Sequence, residues 1–222
     1  MTARICVSIL PKTVPEALRL IEKAEMAHAD FMEVRLDRLE DCLENHCGLA
    51  DLAAHGKTPK IATDKASRNE TEHQQMLIAA AKSGFEYVDV ELSTPQLEDL
   101  VKELKAQGAK PIVSFHKFDD PLSIPELNSI LEREISTGAE VCKIVTTAKQ
   151  MEDNLTILNF TSAASSKAKV VCFCMGELGK VSRLLSPLFG GFFTFASLER
   201  GSETTSGQLT IQELKAAYEL LG

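Results

Sequence analysis

Eight short runs rich in β-branched and aromatic residues recur along the chain, each followed by a segment with helical spacing. The strand-like runs are 4–10, 31–37, 59–63, 87–92, 110–116, 140–147, 168–175 and 190–197. The helical segments are 14–28, 41–55, 70–83, 96–107, 124–137, 150–166, 177–187 and 208–221, as in 96–107, where Leu97, Leu100, Val101 and Leu104 repeat at i, i+3, i+4 and i+7. Boundary residues agree with this division. Thr13 and Pro15 open the first helix, Ser93-Thr94-Pro95 opens the fourth, and Gly84, Gly108 and Gly138 end helices ahead of the next strand. Strand and helix in strict alternation require right-handed crossovers and a parallel sheet. Eight such units in 222 residues predict an α/β fold, a single (β/α)8 TIM barrel with a parallel closed sheet, and one domain spanning 1–222. The rival is a doubly wound open sheet. It would carry a glycine-rich fingerprint after the first strand, and "SILPKT" has none.

Charge narrows the partners. The net charge of −8 argues against nucleic acid or an anionic membrane, so an anionic small molecule would need a local cationic pocket. No apolar run reaches the length of a membrane span, and "MTARICVSIL" lacks the apolar core of a secretion signal, which points to the cytoplasm. Four of the six cysteines (Cys6, Cys142, Cys172, Cys174) lie in apolar strand-like runs, and no C-x-x-C pair exists, so a reducing compartment and no disulfide framework are expected. Cys42, His46 and Cys47 have a spacing compatible with a metal, but an amphipathic helix explains them as well, and no metal is expected.

In a barrel, chemistry sits at the carboxyl ends of the strands. Polar residues interrupt the apolar runs there: Glu33 and Arg35 on strand two, Asp89 and Glu91 on strand four, His116 on strand five, and Lys143 within Val141-Cys142-Lys143-Ile144-Val145. Residues two apart share a face of a strand. Glu33 and Arg35 are therefore either an interior ion pair or part of a site, and Asp89 reads as a structural hydrogen-bonding or ion-pairing group. His116 is either a satisfied core histidine or a base. Lys143 must be paired, snorkel to water or give up its proton, and in the last case it serves as a nucleophile, since an amine kept dry near other cations deprotonates easily and attacks carbonyls. The polar loop "LERGSETTSGQ" after the last strand suits a lid.

Five segments in order, "EVRLD", "SFHKF", "CKIVTTA", "MGELGKVSR" and "TFASLERGSETTSGQ", give the whole chain a pattern that resembles type I 3-dehydroquinate dehydratase, the Schiff-base enzyme of the shikimate pathway. The resemblance implies that Lys143 forms an imine with the C3 ketone of 3-dehydroquinate. His116 would then take the C2 proton and return it to the leaving C1 hydroxyl, in a syn elimination that needs no cofactor. It further implies that Arg183 grips the substrate carboxylate and that Ser8, Glu33, Arg35 and Lys65 contact substrate. Met175 would pack on the ring, and Thr204 and Gln208 would come from the lid. Family members are often homodimers.

Two departures stand out. After strand three the family has an arginine, then a glutamate and two glycines, the glutamate orienting the histidine. Here "TDKASRNETEH" places Lys65 at the arginine and Asn69 at the glutamate, and Glu70 is expected to serve after a one-residue shift. The lid's usual proline is Ser206. Two other readings explain part of the pattern. A class I aldolase or transaldolase would use Lys143, with Gly176 and Gly179 near a phosphate. A non-catalytic descendant would bind a small acid.

Overall fold

The computed structural model describes residues 3–40, 48–65 and 69–222. Eight strands alternate with eight helices: β1 (Ile5–Ile9), α1 (Val14–Met26), β2 (Phe31–Arg35), α2 (Leu49–Ala54), β3 (Lys60–Thr63), α3 (Glu70–Lys82), β4 (Tyr87–Glu91), α4 (Leu97–Ala106), β5 (Lys110–His116), α5 (Ile124–Ser136), β6 (Val141–Thr147), α6 (Glu152–Ala164), β7 (Val170–Met175), α7 (Lys180–Leu185), β8 (Thr194–Ser197) and α8 (Ile211–Leu221). The strands pair in parallel in the order β7-β6-β5-β4-β3-β2-β1-β8, so the sheet curls into a nearly closed barrel. Seven ladders are continuous. Between β7 and β8 the seam is held by the Phe192 N–H donating to the Val170 carbonyl at 2.7 Å.

Most of the expected elements form where the spacing put them. Strand eight does not begin at residue 190, because a 3-10 turn over Ser186–Phe189 ends at Gly190 with φ +95, a left-handed conformation that glycine adopts without strain. The expected helix 177–187 is broken into 3-10, α and 3-10 turns around the short α7, with Pro187 in the last of them. Cys42, His46 and Cys47 lie outside the described residues. No described helix is long and apolar enough to cross a membrane.

Side-chain alternation divides the core in two. Outward strand positions such as Val34, Val88, Val113 and Ile144 join the helices' apolar faces in a large outer core. Inward positions change character along each strand. At the amino end, Phe31, Ile61, Tyr87, Ile112 and Val141 pack with Phe192 and Phe193. Two residues on, Glu33, Thr63, Asp89, Ser114 and Lys143 occupy the same face, all of them buried. The lower barrel is thus an aromatic plug, with Phe31 and Phe193 centroids 4.9 Å apart, and the upper barrel is a polar floor that opens to solvent.

Candidate active site

The polar floor lies beneath a cavity of about 570 Å³ at the carboxyl ends of the strands. Glu33, Arg35, Lys65, His116, Lys143, Met175, Arg183 and Thr204 all line it. Alternation explains the convergence: each sits on an inward position of its strand or in the segment just beyond the strand end.

Lys143 is buried on β6, its Nζ 2.8 Å from Asp89 Oδ2 and 4.5 Å from the centre of the Phe195 ring. The two partners are on strands separated by β5. The intervening inward residue is Ser114, small enough to let them meet, and its hydroxyl donates to Asp89 Oδ1 at 2.8 Å. Lys65 reaches the same Oδ1 at 3.1 Å. Burial alone would raise the Asp89 acid, but the Lys143 ammonium, then that of Lys65, holds it far below the usual carboxylate range. Of the outcomes open to a lysine in this strand, the structure shows pairing, with a carboxylate divided between two ammonium groups, and Asp89 is the ion-pairing group its sequence position suggests.

His116 ends β5 with Nδ1 2.7 Å from Glu91 Oε1, and its ring stacks at 12° on exposed Phe118. Glu91 Oε1 is also 2.5 Å from Lys65 Nζ. Burial pushes the Glu91 acid up, while the contact with His116 and the charge of Lys65 bring it below its ordinary value. Lys65 is raised despite its burial, because Asp89 and Glu91 both favour its charged form.

Glu70, expected beside His116, is elsewhere. Asn69 caps α3, its side chain accepting from the Glu72 N–H at 2.9 Å, and this turns Glu70 into the exposed first turn, where it accepts from Gln74 at 2.9 Å. The carboxylate against the imidazole belongs to Glu91. The sequence places Glu91 with Asp89 at the end of strand four, on the inward face by the same spacing as Glu33 and Arg35, but assigns it no role.

Glu33 and Arg35 do not pair with each other. Glu33 accepts from Ser8 at 2.7 Å and from Thr63 at 2.9 Å. Arg35 makes a two-pronged contact with Asp37, 2.8 Å at each prong. Ser8 thus acts on the cavity through Glu33, its neighbour in the β1–β2 ladder. Gln208 is buried in the segment after β8 and accepts from the Thr204 N–H at 2.7 Å and its hydroxyl at 3.1 Å, while its Nε2 finds no partner.

Arg183 is the most unusual group. Its guanidinium is buried, 4.2 Å from the centre of the Phe173 ring, with Nη2 3.3 Å from Thr205 Oγ1 and Nε without a hydrogen-bond partner. Burial pushes its pKa down to about 10, which leaves it cationic at neutral pH. Among the described residues no carboxylate lies within ion-pair distance of it. A buried cation without a counter-ion is unfavourable unless a ligand supplies one, so this wall of the cavity is built for an anion. Among the described residues, no group of three His, Cys, Asp or Glu side chains could hold a metal ion.

Comparison with known proteins decides the family. Residues 5–222 match the sequence model described as type I 3-dehydroquinase. The chain belongs to the type I 3-dehydroquinase family. A 3-dehydroquinate dehydratase of Dehalococcoides mccartyi is 35% identical over 221 residues, covering 96% of this chain and 94% of the relative. One from Methanococcus maripaludis is 32% identical, covering 98% and 99%. The solved 3-dehydroquinate dehydratase of Geobacillus kaustophilus superposes with a TM-score of 0.89 at 24% identity, covering all of this chain and 91% of that one. As a 3-dehydroquinase, the protein is an enzyme that dehydrates 3-dehydroquinate.

Proposed function

We propose that the dehydration runs through a Schiff base on Lys143 and yields 3-dehydroshikimate, the third step toward chorismate. The observation that supports it best is the placing of a buried amine, a histidine and an anion-seeking arginine around one cavity. Arg183 receives the substrate carboxylate. The Lys143 ammonium first gives its proton to water in the cavity mouth. The neutral amine, still beside Asp89, adds to the C3 ketone, and the carbinolamine takes a proton back and loses water to give the iminium. That cation remains beside Asp89, whose carboxylate is already oriented toward it, so the electron sink is stabilised without reorganisation. His116 removes the C2 proton through Nε2, and the electrons move into the C2–C3 bond to form an enamine. The enamine expels the C1 hydroxyl as His116 returns the proton, releasing water. A second water hydrolyses the iminium, restoring Lys143 and freeing product. Glu33, Arg35, Thr204 and Gln208 hold the substrate hydroxyls, and Met175 packs on the ring.

The aldolase reading rests on fold alone. A solved aldolase superposes at a TM-score of 0.61 with 13% identity, and it leaves Arg183 unexplained. Four buried free thiols are consistent with a reducing, cytoplasmic setting, and we propose that residues 1–222 act as one catalytic domain in a homodimer. The test is reduction trapping: incubate the protein with 3-dehydroquinate, add borohydride, and map the adduct by mass spectrometry. The expected result is a mass increase on the Lys143 peptide that is absent in Lys143→Ala. An unmodified Lys143 peptide from an active enzyme would overturn the mechanism.

A further inference from the structure

We propose that Glu91, on β4, is the residue that positions His116 in this chain, and that Lys65 fixes Glu91 in place. The proposal rests on the reading of His116 as the proton-transfer group. Its geometric basis is the sequence of contacts Asp89 Oδ1–Lys65 Nζ at 3.1 Å, Lys65 Nζ–Glu91 Oε1 at 2.5 Å and Glu91 Oε1–His116 Nδ1 at 2.7 Å.

A histidine that must take a proton at one nitrogen needs its other nitrogen held by an acceptor, which fixes the ring and its tautomer. Glu91 supplies that carboxylate, its Oε1 2.7 Å from Nδ1 although the ring N–H is not aligned on it, and Nε2 is then the nitrogen left for the substrate. When Nε2 takes the C2 proton, the new imidazolium lies against an existing carboxylate. Glu91 does not itself accept the proton. Its acid is held below its ordinary value despite burial, by the His116 contact and by Lys65, so it acts as a fixed negative charge.

Lys65 explains why a strand residue can do this. Its ammonium is a single point of charge shared by two carboxylates on the same inward face of β4. It neutralises their mutual repulsion and sets the rotamer of Glu91. Meanwhile the two residues at the position of the family's glutamate are engaged elsewhere, Asn69 in capping α3 and Glu70 in the exposed first turn. The orienting carboxylate is thus carried by the barrel wall, a more rigid support than a loop.

The test uses the whole protein. Glu91→Gln keeps the size and an acceptor oxygen but removes the charge. It should lower kcat by about 10–100-fold with KM little changed, and reduction should still trap the Lys143 adduct, now with slowed exchange of the substrate C2 proton. Lys65→Met should move kcat the same way. Nitrogen-15 NMR of the unmodified enzyme gives a readout that needs no variant: neutral His116 should carry its proton on Nδ1. Unchanged kcat and C2 exchange in Glu91→Gln, a kcat loss in Glu70→Gln in its place, or a proton on Nε2 of neutral His116 would overturn the assignment while leaving the Schiff base standing. An unmodified Lys143 in the active wild type would overturn both.

Discussion

Replacing Asp89 by Asn tests the electrostatic centre of the site directly. The substitution keeps the shape and the Ser114 contact but removes a charge that faces Lys143 at 2.8 Å and Lys65 at 3.1 Å. At an effective dielectric of about 20, the gross attractions at those distances are about 6 and 5 kcal/mol. Much of this is offset by the desolvation of three buried groups. Lys65 keeps Glu91 after the change, whereas Lys143 keeps no carboxylate among its described contacts. The expected loss is therefore that of a buried pair deprived of one partner, about 3–5 kcal/mol, or roughly 6–20 °C in Tm for a chain of this size.

The pH dependence carries a sign. The folded-state acid of Asp89 is depressed, so its contribution is complete above the unfolded value of about 3.9 and is lost as pH falls below it. Urea melts of wild type and Asp89→Asn should give a difference that is flat from about pH 5 to 7 and shrinks below about pH 4. A difference under about 1 kcal/mol at pH 7, or one that grows in acid, would refute this account of how the two lysines are held.

Arg183→Met removes a buried charge but keeps apolar volume against Phe173. It should reduce kcat/KM about 10–100-fold through loss of the carboxylate clamp and raise folding stability by about 1 kcal/mol or more, read by steady-state kinetics and thermal melts. His116→Ala should still yield a reducible Lys143 adduct but lower turnover by about 10²–10⁴-fold; near-normal turnover would mean that another group moves the proton. Ser123→Ala breaks the capping box with Glu126 at the start of α5. It should cost about 1 kcal/mol, or roughly 2–4 °C, with kinetics unchanged.

The barrel and the location of its mouth were legible because strand and helix periods differ and because charges stand out in apolar runs. Lys143 and His116 were conspicuous for that reason. Spacing by two also put Glu33 and Arg35 on the inward face, yet it did not reveal that each finds another partner. Those choices depend on neighbours across the ladder, Ser8 and Thr63 for Glu33, and on a turn after the strand, Asp37 for Arg35. The pairing of Lys143 with Asp89 crosses an intervening strand and depends on Ser114 being small, a relation that no single segment displays. Glu70 failed for a local reason. Where α3 starts is decided by which residue caps it, and once Asn69 does so the next side chain points away. The direction a cap imposes on its neighbour becomes visible only with the helix axis.

The seam between β7 and β8 has a further consequence. Arg183 follows β7, whereas Thr205, which touches its guanidinium, follows β8. The two therefore stand on opposite banks of the most weakly stitched join in the wall. A carboxylate seated between them ties the banks together, so an occupied enzyme is a more completely fastened cylinder than an empty one. Backbone amides along this join should exchange with solvent more slowly when product is bound.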